Sequence, residues 1–215
     1  MIEVLSVNVG KPETIHWGEN RKMRSSLMRK PIIGKIFVDA MGFAGDKVAD
    51  PVHHGGPDKA VCLYSADHFP YWENELSIEF KPAAFGENVT LKGLVEKDVC
   101  IGDVFRWGEV ELQVTQPRQP CIKLNRRFNH PQFLKMVRDA GKTGFYCRVL
   151  KQGWVETGQP FERIKKDSAG FSIEDANHLM YFDKKAVSKI QEILALQSLS
   201  EGWREFFQNR LKSLT

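Results

Sequence analysis

The chain has 215 residues, of which 42% are hydrophobic and 27% are charged. Such a composition supports an ordinary hydrophobic core, so it excludes a disordered chain and a small fold that depends on disulfides. The formal net charge of +4 is too small to indicate a nucleic-acid-binding protein by itself, although a local surplus would favour an anionic ligand.

Strands dominate the predicted elements of the first two thirds of the chain. Residues 2–9 and 32–40 are rich in Val and Ile and are bounded by glycines, which predicts two strands. Alternating apolar positions over 104–114 predict a hairpin. A further pair of strands is predicted at 144–150 and 154–157. Short strands separated by glycine turns indicate a small barrel or sandwich.

Helices are predicted inside this β region and at its end. The patterns at 65–76 and 130–141 predict two inserted helices. From about residue 170, three helices follow, opened by a capping-box variant at Ser172, by Asp183 and by a box at 198–201. The predicted fold is therefore mainly β with α: a distorted barrel with inserted helices and a C-terminal three-helix unit. We place the two domains at residues 1–163 and 164–215.

The amino-terminal residues predict a strand that contains an acidic residue. A signal peptide would need a basic segment and then an apolar run, and a spanning helix would need about 20 apolar residues. Neither pattern is seen, so we expect a protein of the reducing cytosol that does not contact a membrane.

The four cysteines, at positions 62, 100, 121 and 147, are too far apart in sequence for a C-x-x-C zinc or redox pair. Cys62 and Cys147 lie among apolar residues in predicted strands, and Cys100 is also interpreted as structural. We expect these three to be small buried residues.

Cys121 lies in different surroundings, directly after the clearest predicted strand. Pro117 and Pro120 restrict the backbone before it and hold it out of regular structure. Four basic residues fall between positions 118 and 127, and nearby positive charge favours the thiolate, the form that acts as a nucleophile or metal ligand. These features favour a functional role for Cys121.

Two further segments contain glycines in patterns that suit a ligand loop. Gly55 and Gly56 follow two histidines, and their backbone N–H groups would be open to an anion, with Lys59 adding a point charge. An ordinary turn between strands explains this pattern equally well. Gly86 and Asn88 tolerate left-handed backbone, which suits a tight shaped loop but has no specific function by itself.

Taken in chain order, these segments resemble the MOSC domain, the module named for the C-terminal part of molybdenum-cofactor sulfurases. The match is carried by Asp46, the run from His54 to Val61, Phe85-Gly86-Glu87-Asn88 and Arg118-Gln119-Pro120-Cys121. The predicted helices at about 165–213 resemble the tail of the YiiM-type branch. The resemblance therefore covers nearly the whole chain.

The resemblance implies a distorted barrel that holds the molybdenum cofactor (molybdopterin) in a basic cleft, with Cys121 as the protein ligand to molybdenum and no role for pyridoxal phosphate. The YiiM-type branch is associated with reducing, and so detoxifying, N-hydroxylated bases such as 6-hydroxylaminopurine, with electrons from a flavoprotein reductase. Soft thiolate ligation suits this metal. From their chemistry, the candidate cofactor-binding residues are Gly55, Gly56, Lys59, Asn88, Arg118, Lys123 and Arg126, and the candidate proton donor is His54.

Two other functions use the same residues. A non-catalytic carrier would bind the cofactor, or hold sulfur as a persulfide on Cys121, and pass it to another protein. A cysteine-nucleophile enzyme would use His53 or His54 as its base. A direct nucleic-acid-binding role is the least favoured, because the basic residues form one short cluster without a groove-binding motif.

Overall fold

The structure is a computed structural model that describes residues 1–17, 21–50 and 55–214. Its strands are β1 (Glu3–Val9), β2 (Glu13–Trp17), β3 (Arg21–Ser25), β4 (Lys30–Pro31), β5 (Ile36–Asp39), β6 (Gly42–Phe43), β7 (Val61–Ser65), β8 (Val89–Lys92), β9 (Val104–Trp107), β10 (Val110–Pro117), β11 (Phe145–Lys151), β12 (Gly153–Val155) and β13 (Phe161–Lys165). Its α-helices are α1 (Phe69–Leu76), α2 (Lys123–Arg127), α3 (Phe133–Asp139), α4 (Ile173–Tyr181), α5 (Val187–Ala195) and α6 (Glu201–Lys212).

Eight strands form one mixed sheet that curves into a half-barrel, in the order β13-β9-β10-β11-β7-β8-β1-β4. Neighbouring strands are antiparallel except β7 and β8, which run parallel. Two smaller sheets join β12-β5-β6 and β2-β3. The predicted architecture, a barrel-like sheet with inserted helices and a C-terminal helix unit, is confirmed.

The best strand pattern in the sequence forms the centre of the sheet. Val110, Leu112 and Val114 of β10 are fully buried on one face, as the alternation predicts. Leu112 pairs with Phe105 across the predicted hairpin, whose turn contains Gly108 at φ +55°.

The predicted pairing of 144–150 with 154–157 is wrong. Both segments contain strands, but β11 pairs with β10 and β7, whereas β12 leaves the large sheet and pairs with β5. Burial of Val155 against the main core accounts for this route, because strand pairing follows the buried face rather than the shortest connection.

The C-terminal helices pack on the sheet as well as on each other. Ile173 and Leu179 of α4 belong to the same buried cluster as Val114 of the sheet. The Ser172 capping box is present, with the Asp175 N–H donating to Ser172 Oγ at 2.9 Å. The predicted cap at Asp183 is wrong, since α5 begins at Val187 after Ala186.

A second, aromatic cluster lies beside the main core and supports the ligand loops. Phe85 stacks on Tyr64 with ring centroids 3.9 Å apart, and Trp72 and Phe133 pack against the same ring. No helix in the described part of the chain is both long and apolar enough to cross a membrane.

Candidate functional site

A cavity of about 330 Å³ lies where the loops after several strands converge. Its walls come from chain segments far apart in sequence, and only the sheet brings them together. The described residues that line it are Ser25, Ser26, Leu27, Arg29, Met41, Asp46, Lys47, Val48, Ala49, Gly55, Gly56, Lys59, Ala60, Cys62, Gly86, Asn88, Arg118, Gln119, Cys121, Lys123 and Tyr146.

The cavity wall is strongly cationic. The described lining residues include one carboxylate, that of Asp46, and five cationic side chains: Arg29, Lys47, Lys59, Arg118 and Lys123. Burial lowers the pKa of the Lys59 ammonium, although the nearby carboxylates of Asp58 and Asp50 act in the opposite direction. An anion in the cavity would favour the charged form of this lysine, so the wall suits an anionic ligand.

Arg29 and Asp46 form a buried ion pair in this wall. Arg29 Nε lies 2.9 Å from Asp46 Oδ1, and Nη2 lies 2.7 Å from Oδ2. The Gly10 N–H and the Asn88 side-chain amide also donate to this carboxylate, at 2.8 and 3.0 Å. Burial by itself lowers the pKa of the Arg29 guanidinium, but Asp46, with smaller effects of Cys62 and Tyr146, acts in the opposite direction and the pKa is raised. The pair is therefore a fixed part of the scaffold.

Two buried hydrogen-bond donors in the cavity wall have no protein partner in the described part of the chain. Arg118 donates through Nη2 to the Phe85 carbonyl, while its Nη1 is buried and unpartnered. The hydroxyl of Ser26, a residue only 7% exposed, is unpartnered as well. Buried polar atoms are nearly always satisfied by protein, water or ligand. Both groups therefore fit a ligand that supplies acceptor oxygens.

Cys121 is half-buried and lines the same cavity. The Lys123 backbone N–H points at this sulfur, with N and Sγ 3.3 Å apart. Cys121 also lies close enough to Arg118 for a favourable electrostatic interaction between thiolate and guanidinium. Among the described residues, no group of three or more His, Cys, Asp or Glu side chains is placed to hold a metal ion.

A second thiol, Cys62, lines the cavity opposite a phenol. Cys62 on β7 is paired in register with Tyr146 on β11, so the two side chains share a face of the sheet. Burial raises the pKa of both groups, which keeps the thiol and the phenol protonated near neutral pH. The expectation that Cys62 is a buried residue is correct, but its place in the cavity wall was not predicted.

The loop that contains Gly86 and Asn88 is held in one conformation. Gly86 has φ +72°, and a Cβ at this position would lie 2.6 Å from Leu27 Cδ1. The fully buried Glu87 accepts hydrogen bonds from the backbone N–H groups of Ala83 and Phe85, at 2.8 and 3.0 Å. These bonds close the loop against the cavity wall.

Asn88 connects this loop to its neighbours. Its side-chain amide donates to Asp46 and to the Asn8 carbonyl, and its oxygen accepts from the Cys62 N–H at 3.1 Å. Both amide hydrogens are therefore used within the protein, which favours a positioning role.

Most of the predicted site residues meet at this cavity. The lining set includes Gly55, Gly56, Lys59, Asn88, Arg118, Cys121 and Lys123. Arg126 lies outside it and contacts the Met23 sulfur, with 3.0 Å between Nη1 and Sδ. His53 and His54 lie outside the described residues.

The sequence interpretation missed Ser26, Arg29 and Tyr146. The only local signal for the first two was the density of basic residues around them. Tyr146 gave no local signal, because its position depends on its strand pairing with Cys62.

Two family models match the chain: that of the MOSC domain at residues 50–162, and that of the YiiM-like, 3-alpha helix domain at residues 172–214. The protein YflK of Bacillus subtilis, which has no assigned activity, is 45% identical over 96% of this chain and 93% of its own. A protein of Gibberella moniliformis named "Reductase" is 30% identical over 89% of this chain, which spans only 35% of that longer relative. The crystal structure of YiiM from Geobacillus stearothermophilus matches with a TM-score of 0.85 and 38% identity, over 98% of this chain and all of that one.

Proposed function

This chain belongs to the MOSC family, in the branch with a YiiM-like helix domain, and we propose that it is a molybdenum-cofactor-dependent reductase of N-hydroxylated compounds. MOSC domains are generally associated with binding of the molybdenum cofactor. The observation that carries the proposal is the cationic cavity in which one accessible thiol, Cys121, lies beside two buried donors that have no partner among the described residues.

The residues of the cavity fit this cofactor. Its terminal phosphate and its pterin are rich in hydrogen-bond acceptors. Arg118 Nη1 and Ser26 Oγ find no acceptor in the part of the chain that the structure describes, so both could donate to the cofactor. Lys59 and Lys123 add positive charge, and the Gly55-Gly56 backbone leaves room for a close approach by the pterin. Arg126, which contacts Met23, would support the wall rather than line it.

Cys121 would supply the protein's ligand to molybdenum. A thiolate is the soft donor that completes a sulfur-rich coordination shell. The Lys123 backbone N–H contacts this sulfur, and the Arg118 guanidinium lies near it.

The proposed reaction converts an N–OH group to N–H. It consumes two electrons and two protons, breaks the N–O bond and releases water. When bound, the molybdenum cofactor supplies the two-electron redox chemistry. The residues of the chain bind and orient the reactants, and His54 is proposed as the proton donor. The relative named "Reductase" supports the oxidoreductase class.

The proposal is tested with protein made in molybdenum-replete cells. Wild-type protein should contain molybdenum and pterin and should reduce 6-hydroxylaminopurine with dithionite as the electron source. Cys121→Ser should lose this turnover, whereas Cys100→Ser, a matched change at a buried cysteine outside the cavity, should keep it. Bound cofactor without turnover in the wild type would instead support the carrier function. Full turnover in Cys121→Ser would overturn the proposed role of the thiol.

A further inference from the structure

The positive charge of this chain is concentrated in two stretches. Residues 21–38 and 112–138 contain twelve Lys and Arg and no Asp or Glu. The remaining residues contain 19 Lys and Arg against 27 Asp and Glu, so the rest of the chain carries a net negative charge. The net charge of +4 is therefore distributed very unevenly along the sequence.

The fold brings the two basic stretches together at the cavity. Arg126 Nη1 lies 3.0 Å from the Met23 sulfur, and Arg127 donates to the Leu27 carbonyl. The segment 25–29 and the segment 118–123 both contribute lining residues. These contacts place part of the positive charge of both stretches around one opening, whereas Lys135 and Arg138 pair with Asp139 away from it.

Exposed cations border the cavity-lining segment 25–29 on both sides. Arg24 directly precedes Ser25, and Lys30 directly follows Arg29. Lys22 shares the solvent face of β3 with Arg24, because side chains alternate along a strand. None of Lys22, Arg24 and Lys30 forms an ion pair within the described ranges, so their charges are not neutralised there.

Exposed apolar side chains accompany these cations. Met41 lines the cavity and is 66% exposed, Ile122 follows Cys121 and is 50% exposed, and Met28 follows the lining residue Leu27. Exposed apolar residues that lie in or next to cavity-lining segments and are bordered by charge are typical of a protein-interaction surface. We call this surface the basic face and define it by Lys22, Arg24, Met28, Lys30, Met41, Lys47, Ile122 and Lys123.

We propose that the basic face is the docking surface for an acidic electron-carrier protein, which delivers electrons through the cavity mouth. This inference rests on the proposed function, since that reaction uses two electrons in each turnover. Electron transfer slows steeply with distance, so a protein donor must bring its carrier close to the site. The cavity mouth is where the redox group would be nearest to a partner.

The charge asymmetry also explains how such a partner would find this face. An acidic surface is attracted to the positive face and repelled by the negative remainder of the chain, which orients the encounter. The exposed apolar residues of the basic face then exclude water from the contact. A donor protein with an acidic rim around its exposed redox group fits both features.

The test measures the reduction of molybdenum-loaded protein by reduced flavodoxin, a small acidic flavin carrier, in a stopped-flow instrument. The variant Lys22→Glu/Arg24→Glu/Lys30→Glu changes the basic face without touching a proposed cofactor-binding residue. The control Lys166→Glu/Lys184→Glu/Lys185→Glu has the same net charge but changes exposed lysines elsewhere. At low ionic strength, the second-order rate constant should fall at least about tenfold in the first variant and much less in the control.

Two further measurements separate the possible failures. Turnover with dithionite, which needs no docking, should be equal in all three proteins; its absence from the wild type would count against the proposed function alone. Binding of flavodoxin, followed by isothermal titration on the same preparations, does not depend on turnover. Equal flavodoxin affinity and rate in all three proteins, or no interaction with the wild type, would overturn the docking proposal. Tight binding of a single-stranded oligonucleotide, lost in the first variant while the flavodoxin rate is unchanged, would overturn it in favour of nucleic acid.

Discussion

Arg29 and Asp46 face each other in the cavity wall through two parallel hydrogen bonds of 2.9 and 2.7 Å, with only 10% and 11% of their side chains exposed. Such a pair contributes geometry more than net stability, because bringing both charges out of water offsets much of their attraction. Removal of one partner, however, leaves the other buried without compensation. The wall of the site therefore depends on both residues.

Substitution of Asp46 by Asn should destabilise the fold by about 3–5 kcal/mol, because it leaves the Arg29 charge uncompensated. The free energy of unfolding is measured by urea denaturation of the cofactor-free protein. The control is Asp139→Asn, which weakens an exposed pair with Lys135 and should cost less than about 1 kcal/mol. A loss for Asp46→Asn no larger than that of the control would contradict the scaffold role of the pair.

Gly86 should tolerate no side chain. Gly86→Ala places a Cβ 2.6 Å from Leu27 Cδ1 and 2.9 Å from the Leu27 carbonyl oxygen, in addition to the strain of a left-handed backbone. The strain alone costs about 1–2 kcal/mol and the overpacking a further 1–3 kcal/mol or so. Gly158→Ala, at φ +85° with no atom of the described residues within 4 Å of the added Cβ, isolates the strain. Equal melting temperatures for the two variants would show that the contact with Leu27 relaxes freely.

Ser26→Ala should affect the fold and ligand binding in different ways. The variant removes a buried hydroxyl that has no partner within residues 1–17, 21–50 and 55–214, so the cofactor-free protein should be as stable as the wild type or slightly more so. Loss of a hydrogen bond to a charged group should weaken cofactor binding about tenfold, read as lower molybdenum and pterin content after dialysis. The exposed Ser168→Ala is the control. Unchanged cofactor retention in Ser26→Ala would remove this residue from the site.

Only one of the four thiols should react readily in the folded protein without its cofactor. Burial raises the pKa of the Cys62, Cys100 and Cys147 thiols, so these groups stay protonated at mildly alkaline pH and are shielded from reagent. Titration with a thiol-specific disulfide reagent near pH 8 should modify Cys121 quickly and the other three only after denaturation. Cys121→Ser should abolish the fast phase. A fast phase that survives in this variant would mean that another thiol is accessible.

The sequence predicts those parts of the fold and site that depend on neighbours in the chain. The hairpin over 104–114 follows from its alternation, and the Ser172 capping box follows from residue types three positions apart. Cys121 stands out because prolines and cations adjoin it in sequence. Each of these signals is local, and the structure contains the predicted elements.

The remaining features depend on contacts between distant segments. Arg29 meets Asp46 across 17 positions, and Tyr146 meets Cys62 through a register that only the assembled sheet defines. The same reason explains why the predicted pairing of β11 with β12 is wrong. The buried face of Val155, not the short connection, decides the partner of β12. The basic face likewise forms only after 21–38 and 112–138 are folded together.

The central claim is that Cys121 binds molybdenum in this cavity. The most direct measurement is molybdenum K-edge X-ray absorption on cofactor-loaded protein, which counts the sulfur atoms bound to the metal. We predict that the wild type shows the dithiolene sulfurs and one additional sulfur, and that Cys121→Ser loses this one while Cys62→Ser keeps it. An identical sulfur count in wild type and Cys121→Ser would contradict the account.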